Sequence, residues 1–272
     1  MKILKRPEEN SGFSLVEIAV VLVILSVLIA IVAVPLATQM EQRRTEETQK
    51  QLETIKEALI GFALASGRLP CPATSTSNGA EAFVPVTGTA ANGNCQQFVG
   101  FVPAATLGLS PVDSNGFVLD AWGLQQNRIR YGVSSLTVTS GTPVACTTTV
   151  SNPILTSTNG MRNATMTCLA DPALAPLLTI CSTTPTGAAG AATACIAALT
   201  NKAPFVLFSL GKNAVSGGTG TDEAHNVDPT DFYFVSHMPT QAGSASGEFD
   251  DIVTWGSLNT LFARMVQAGK LP

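Results

Sequence analysis

The sequence has little charge and few side chains suited to catalysis, which narrows the functions open to it. Only 12% of its 272 residues are charged and the net charge is −4, which argues against a nucleic-acid-binding surface of clustered lysine and arginine. Its only histidines are His225 and His237. It has no Gly-x-Ser-x-Gly motif, and its glycine-rich segment 217–220 lacks the lysine of a phosphate loop. The pattern favours a structural protein, with a membrane-anchored enzyme acting through Asp250 and Asp251 as an alternative.

Charge is almost absent between Phe13 and Ala37. These 25 residues are nearly all apolar, and Glu17 is the only charged side chain among them. A helix of about 20 apolar residues crosses the hydrocarbon core of a bilayer, so the sequence predicts a transmembrane helix over residues 13–37. A carboxylate inside such a helix costs about 2.5–3.5 kcal/mol on insertion scales, so Glu17 marks a functional position that needs a partner.

Residues 1–12 predict a short leader on the cytoplasmic side of the membrane. They carry Lys2, Lys5 and Arg6 against Glu8 and Glu9, and positive charge before the first apolar segment keeps that end of the chain in the cytoplasm. The rest of the chain is then expected across the membrane. No good small-x-small cleavage site and no cysteine stand directly after the apolar run, which argues against an ordinary secretory signal and a lipoprotein anchor.

The segment Gly12-Phe13-Ser14-Leu15-Val16-Glu17, with the apolar run behind it, resembles the class III signal of type IV pilins and type II secretion pseudopilins. The resemblance implies that a prepilin peptidase cuts after Gly12 and methylates the new amine of Phe13. It also implies an assembly salt bridge between Glu17 of one subunit and the Phe13 amine of its neighbour, which offsets the cost of burying the two charges. A plain single-pass anchor is the alternative.

Residues 38–66 predict the second half of the same helix, an amphipathic half on the periplasmic side. Charges of both signs crowd residues 41–57, as on a solvated helix. Gly67 ends the pattern, and two prolines soon follow it. We predict one helix from about Ser14 to Ser66. Its apolar stripe, at spacings of three and four, is formed by Leu52, Ile55, Leu59 and Phe62.

All cysteines lie in the predicted head, residues 67–272. An even number of cysteines in an exported head predicts disulfide bonds, although six cysteines allow 15 connectivities. We predict sequential pairing, Cys71–Cys95, Cys146–Cys168 and Cys181–Cys195. A zinc site is the alternative, but no C-x-x-C spacing supports it.

Short apolar runs bounded by turn residues predict strands in the first part of the head, with 98–102 and 113–118 as the clearest runs. After them, Asp120-Ala121-Trp122-Gly123 and Tyr131 resemble the Asp-Pro-Trp-Gly…Tyr signature of major pseudopilins, with Ala121 in place of the proline. We interpret Trp122 as a core-packing side chain beside a tight glycine turn.

Two later segments resemble the calcium-binding loops of major pseudopilins. The first is an apolar strand, 204–210, that ends in Gly211; the second begins at Asp250 and reaches Trp255. The resemblance implies a structural calcium ion, which prefers six to eight oxygen ligands. Asn213 stands where the family has an acid. The implied ligands are Leu210, Asn213, Asp250 and Asp251. Four further acids between the segments supply extra oxygens or solvate a loop: Asp222, Glu223, Asp228 and Asp231.

The predicted fold is α+β and pilin-like, with a long N-terminal transmembrane helix packed on an antiparallel, disulfide-containing β-sheet head. Residues 257–268 have helical spacing and predict a C-terminal helix. The head contains insertions at about 132–200 and 218–247. The first has Arg162 and Asp171 as its only charges, which predicts short strands and loops or partial disorder.

Together these features predict a structural filament subunit, a minor or decorated subunit of a type IV pilus or a type II secretion pseudopilus. Its expected partners are other pilin or pseudopilin subunits, the prepilin peptidase and an inner-membrane assembly platform. It is expected in the inner membrane with a periplasmic head, and afterwards in the filament. An adhesive or ligand-binding tip subunit is the alternative, since the insertions enlarge the head.

Overall fold

The computed structural model describes residues 14–216, 220–228 and 230–271, apart from the side chains of residues 30–37. The chain divides into two compact units, Met1–Arg43 and Arg44–Pro272. The predicted leader and Phe13 lie outside the described residues.

The described residues form an α+β fold, as predicted. The helices are α1 (Leu15–Ser66), α2 (Ala104–Leu107), α3 (Gly160–Ala164), α4 (Met166–Ala170), α5 (Thr221–Val227) and α6 (Leu258–Gln267), with 3-10 turns at Gln125–Asn127 and Ala214–Ser216. The strands are β1 (Val99–Phe101), β2 (Arg130–Val133), β3 (Leu178–Cys181), β4 (Ala198–Ala203), β5 (Phe205–Ser209), β6 (Tyr233–Val235) and β7 (Ile252–Trp255).

The first part of α1 exposes apolar side chains on all sides. The exposed fraction is 87% for Leu15 and 67% for Ile29, and the large apolar residues between them are also exposed. Part of the predicted membrane segment, Phe13 and the side chains of 30–37, lies outside the described residues. In the part of the chain that is described, no helix has the length and hydropathy of a membrane span.

The second part of α1 supplies one wall of the core of the larger unit. Leu52, Ile55 and Leu59 are buried there, as the predicted stripe requires, and Ala63 continues the stripe one turn later. Phe62 is only half-buried, and the guanidinium of Arg68 lies 5.2 Å from the centre of its ring. The apolar spacing therefore identified the packed face of this helix.

The main sheet has the strand order β1-β2-β5-β7, and every neighbouring pair is antiparallel. Its side chains alternate between two cores. Tyr131 and Leu207 face the core that contains α1, whereas Val206 and Phe208 face a second core. This second core lies against a smaller sheet of order β4-β3-β6, in which β3 and β6 are parallel.

Residues 132–200 pack into the head, so the alternative of partial disorder was wrong for this insertion. Ile154, Leu155 and Met161 are buried in the core that contains α1. The carbonyl of Leu155 also accepts a hydrogen bond of 2.7 Å from the N–H of Leu69, just after the long helix. A composition low in charge suits this segment because so much of it is buried.

Disulfide bonds join the cysteines of the head in the predicted sequential pairs. They connect Cys71 with Cys95, Cys146 with Cys168 and Cys181 with Cys195. Each bond closes a loop of 14 to 24 residues. The bonds therefore constrain local loops of the unfolded chain rather than joining its distant parts.

The strand predicted over residues 113–118 was wrong, because a side chain there replaces the hydrogen bonds of a sheet. Asp113 Oδ1 accepts hydrogen bonds of 2.9 Å from the N–H groups of Asn115 and Phe117. Its Oδ2 lies 2.7 Å from Arg128 Nη2. An aspartate that bonds its own backbone in this way favours a turn over a strand.

We expect Asp113→Asn to lower the free energy of unfolding by about 2 kcal/mol at pH 7, because Arg128 loses a charged partner. Burial raises the pKa of Asp113, but the N–H of Phe117, the Arg128 guanidinium and the N–H of Asn115 lower it by more, so it ends below its ordinary value. An acid with a lowered pKa stabilises the fold above its unfolded pKa of about 3.9. That contribution is lost as the pH falls through the lowered pKa.

The measurement is urea unfolding of both chains between pH 3 and pH 8, followed by tryptophan fluorescence. Glu46→Gln, at an exposed position of α1, is the control and should change the stability by less than about 0.5 kcal/mol. A difference between wild type and Asp113→Asn that is the same at every pH would contradict the ion pair.

Candidate functional site

The N-terminal site is described from Ser14 onward, and Gly12 and Phe13, the predicted cleavage and methylation residues, lie outside the described range. Ser14 and Glu17 make two reciprocal hydrogen bonds. The N–H of Ser14 donates to Glu17 Oε2 at 2.9 Å, and the N–H of Glu17 donates to Ser14 Oγ at 3.2 Å. This is a capping box at the start of α1.

The capping box gives Glu17 a local role that the sequence analysis missed. The signal was present as Ser-x-x-Glu directly before an apolar run. The carboxylate of Glu17 is bound to the amide that directly follows Phe13, so it lies next to the predicted cleavage point. Its pairing with the amine of a neighbouring subunit stays a prediction.

A second site lies in the head, where three chain segments meet around a group of acids. Each of Glu223, Asp250 and Asp251 places a carboxylate oxygen within 4.8 Å of the other two. Glu223 comes from α5, whereas the two aspartates directly precede β7. We call Glu223, Asp250 and Asp251 the acid cluster. The turn after β5 forms its third side, with Leu210 buried in that turn and Asn213 half-buried.

Backbone and side-chain donors hold the three acids in place. The N–H groups of Lys212 and Asn213 donate to Asp250 Oδ2 at 3.0 and 3.2 Å. The N–H of Asp250 donates to Glu223 Oε1 at 3.0 Å. Asn213 Nδ2 reaches both oxygens of Glu223, at 2.9 and 3.1 Å. The cluster is thus a built arrangement and not a set of mobile surface acids.

Several oxygens of the site are buried without a hydrogen-bond partner. They are Oδ1 of Asn213, Oδ1 of Asp250 and Oδ1 of Asp251. Burial and the neighbouring Glu223 carboxylate raise the pKa of Asp250 to about 7. Burial likewise raises the pKa of Asp251 well above its ordinary value. Buried oxygens that lack donors, beside mutually repelling acids, are the environment that a hard cation stabilises, so these residues fit calcium.

A buried polar network joins the turn after β5 to the Asp-Ala-Trp-Gly segment. Asn127 Nδ2 donates to Asp120 Oδ2 at 2.9 Å and to the carbonyl of Gly211 at 2.6 Å. The hydroxyl of Ser209 also donates to Asp120 Oδ2. Burial raises the pKa of Asp120, although these donors act in the opposite direction. The Asp-Ala-Trp-Gly segment and the turn after β5 therefore contact one another beside the acid cluster.

The prediction that Trp122 packs in the core was wrong, since Trp122 is half-buried. Its backbone N–H donates to Asp120 Oδ1 at 2.9 Å, and the backbone N–H of Gly123 donates to the Asp120 carbonyl at 3.1 Å. The segment is held by its backbone and by Asp120, not by burial of the indole.

Among the four acids of the second insertion, Glu223 alone joins the cluster. Asp222 binds Thr184 Oγ1 at 2.5 Å and His237 Nε2 at 3.0 Å. Asp222 and Glu223 are buried, so solvation of a loop was the wrong interpretation for these two. Asp228 instead accepts a hydrogen bond from the backbone N–H of Thr230. Asp231 accepts hydrogen bonds from the backbone N–H groups of Ala192 and Tyr233. The sequence signal for Glu223 was weak, because a helix of seven residues has little periodicity.

Neither histidine meets the acid cluster in the described contacts. His237 pairs with Asp222, and His225 Nδ1 lies 3.8 Å from Asp231 Oδ2. Asp250 and Asp251 are instead bonded by backbone N–H groups and by Asn226. The donor set of the cluster is suited to holding a cation.

Comparison with known protein families shows what the N-terminal site is. Residues 9–33 match the family model described as the prokaryotic N-terminal methylation motif. This motif is the class III signal of type IV pilins and pseudopilins. Searches of curated proteins and of solved structures give no significant match to the chain. The match therefore supports a pilin-type or pseudopilin-type subunit through its N-terminal segment.

Gly211 allows the turn after β5 to approach Asp250, and we expect Gly211→Ala to disturb this contact. Gly211 has a φ of +61°, and an added Cβ would lie 2.5 Å from the Asp250 carbonyl oxygen and 2.6 Å from its Oδ1. The matched control is Gly123→Ala, because Gly123 has a φ of +73° and open space around the added Cβ.

Both variants should lose about 1–2 kcal/mol from the left-handed backbone. Gly211→Ala should lose about 1–3 kcal/mol more from the close contact. The measurement is the free energy of unfolding in urea. Equal losses in the two variants would show that Asp250 does not lie against Gly211.

Proposed function

We propose that the chain is a structural subunit of a type IV pilus or a type II secretion pseudopilus, in a minor or decorated position. A prepilin peptidase would cut it after Gly12 and methylate Phe13. It would stay in the inner membrane, with its head in the periplasm, until an inner-membrane assembly platform adds it to a filament of pilin or pseudopilin subunits. The role is mechanical, and no substrate turnover is proposed.

The observation that carries this proposal is the methylation motif placed directly at an exposed apolar helix. The matched residues, 9–33, include the start of α1 at Leu15. From Leu15 to Ile29 the large apolar side chains are exposed on all faces of the helix. A helix that is apolar all round is stable only when lipid or other helices cover it. Lipid would cover this helix while the subunit is in the membrane, and neighbouring helices would cover it in the filament.

Glu17→Ala tests the assembly role. We expect the variant to reach the membrane as the wild type does, because the substitution makes the segment more apolar. Its incorporation into filaments should fall at least about tenfold, because the Phe13 amine of the neighbour loses its carboxylate partner. The measurement compares membrane fractions with sheared filaments by immunoblotting.

Two control variants separate pairing from helix capping. Ser14→Ala removes the hydroxyl of the capping box but keeps Glu17, so it should assemble nearly normally. Glu46→Ala removes an exposed acid of the same helix and should also assemble. Normal incorporation of Glu17→Ala would refute the pairing, and equal defects in Glu17→Ala and Ser14→Ala would assign the effect to the cap.

We propose in addition that the head binds one structural calcium ion at the turn after β5 and the start of β7. The ligands proposed from the sequence are Leu210, Asn213, Asp250 and Asp251. The support is that Oδ1 atoms of the last three are buried without a hydrogen-bond partner. Bound calcium would supply positive charge to these oxygens, and the residues themselves position the two segments.

Removal of calcium should therefore lower the melting temperature of the head. With calcium at 100 times its dissociation constant, binding contributes about 2.7 kcal/mol, which corresponds to roughly 5–10 °C in a domain of this size. Asp251→Asn should abolish the difference between calcium and EDTA. Asp228→Asn, an acid of the same insertion that bonds Thr230 instead, should retain it. A wild-type melting temperature that is equal in calcium and EDTA would contradict the proposal.

A further inference from the structure

We propose that Glu223 is the carboxylate ligand that replaces the missing acid at position 213, and that the cation thereby clamps α5 to the main sheet. This inference rests on the proposed calcium site and adds a ligand from the second insertion. Among the predicted ligands, Asn213 is the neutral side chain at a position where an acid was expected. Glu223 lies directly beside it.

The geometry places the charge of Glu223 where the charge of residue 213 would otherwise be. Asn213 Nδ2 donates to Oε1 and Oε2 of Glu223 at 2.9 and 3.1 Å. The amide thus turns its nitrogen toward the glutamate and leaves its own Oδ1 buried without a hydrogen-bond partner. An aspartate in the place of Asn213 would repel Glu223, so one carboxylate at this point excludes a second one unless a cation is bound.

The burial of Glu223 shows that it is more than the cap of a short helix. It accepts a hydrogen bond of 3.4 Å from the N–H of Gly220, as a capping residue does. It is also fully buried, and it accepts a shorter bond from Asp250. A carboxylate is rarely buried beside two others unless it is paired or coordinates a metal.

Calcium suits this donor set better than the other common cations do. The oxygens come from three carboxylates and from the amide of Asn213, and calcium takes six to eight oxygen ligands in flexible geometry. Magnesium requires near-ideal octahedral geometry and keeps several waters. With Glu223 the site offers a formal charge of about −3 to a divalent cation, and without it only about −2.

Helix α5 also transmits the clamp to the smaller sheet. Asn226, one turn after Glu223, donates to Asp251 Oδ2 at 2.7 Å and accepts from the N–H of Val235 in β6 at 2.7 Å. Asp222 binds His237, just beyond that strand, at 3.0 Å. A cation held by Glu223 and Asp251 would therefore fix one turn of α5 at both ends, through Glu223 itself and through Asn226, which binds Asp251. Because Asn226 also binds Val235, the same cation would fix the position of β6.

The experiment titrates the full chain with calcium chloride by calorimetry and compares four proteins. We expect Glu223→Gln to weaken binding at least about tenfold, because a charged ligand becomes neutral. The double variant Glu223→Gln, Asn213→Asp has an amide at position 223 and a carboxylate at position 213. Because the site then has three carboxylates again, this variant should regain most of the calcium affinity. Glu248→Gln, a matched loss of a nearby acid outside the cluster, should stay within about twofold of wild type.

Hydrogen exchange gives a second result. Calcium should slow the exchange of the α5 and β6 amides in the wild-type chain, and this protection should be lost in Glu223→Gln. Wild-type binding that Glu223→Gln leaves unchanged, or calcium protection confined to the segments around Gly211 and Asp250, would overturn the inference and leave the calcium site standing. Absence of calcium binding by the wild type would overturn the calcium proposal and this inference together. Equal binding of magnesium would refute the assignment to calcium.

Discussion

The long helix exposes apolar side chains on every face of its first part, and this constraint governs what the protein can do. Each square ångström of apolar surface left in water costs about 25 cal/mol, so residues 15–29 require a cover. The helix is continuous to Ser66 and its last turns are part of the core of the head. Whatever covers the first part is thereby tied to a folded domain. A methylation motif lies at the start of this helix, and the proposed function supplies the cover, first lipid and then the other helices of a filament.

The head is subject to a different constraint, since it brings negatively charged side chains together in a largely buried place. Three carboxylates converge between the turn after β5, α5 and the start of β7. Oδ1 of Asp250 and Oδ1 of Asp251 are buried without a hydrogen-bond partner, which is electrostatically unfavourable unless a cation binds. A bound calcium ion, as proposed, turns this repulsion into an attachment between the main sheet and the second insertion. The proposed site therefore lies where the second insertion meets the main sheet, and the stability of the head would follow the calcium concentration of its surroundings.

Features with a regular period or a local rule could be predicted from the sequence. The stripe at Leu52, Ile55 and Leu59, the end of α1 before Gly67 and the apolar strand β5 follow from side-chain spacing and from chain breakers. The aspartates of the acid cluster were suggested by resemblance. Glu223 and the packing of residues 132–200 were not predictable, because both depend on contacts between segments far apart in the chain. The predictions for residues 113–118 and for Trp122 were wrong for a local reason. Apolar neighbours suggested a strand at the first and a core position at the second, but an aspartate side chain, Asp113 or Asp120, binds the backbone there and determines a turn.

The N-terminus of the mature protein is the most direct measurement of the central claim. Intact-mass and N-terminal peptide mass spectrometry, on protein recovered from cells that contain a prepilin peptidase, should show a chain that begins with N-methylated Phe13. A protein from cells that lack the peptidase should retain residues 1–12. A mature chain that begins at Met1, or after Ala37, would contradict the filament-subunit function.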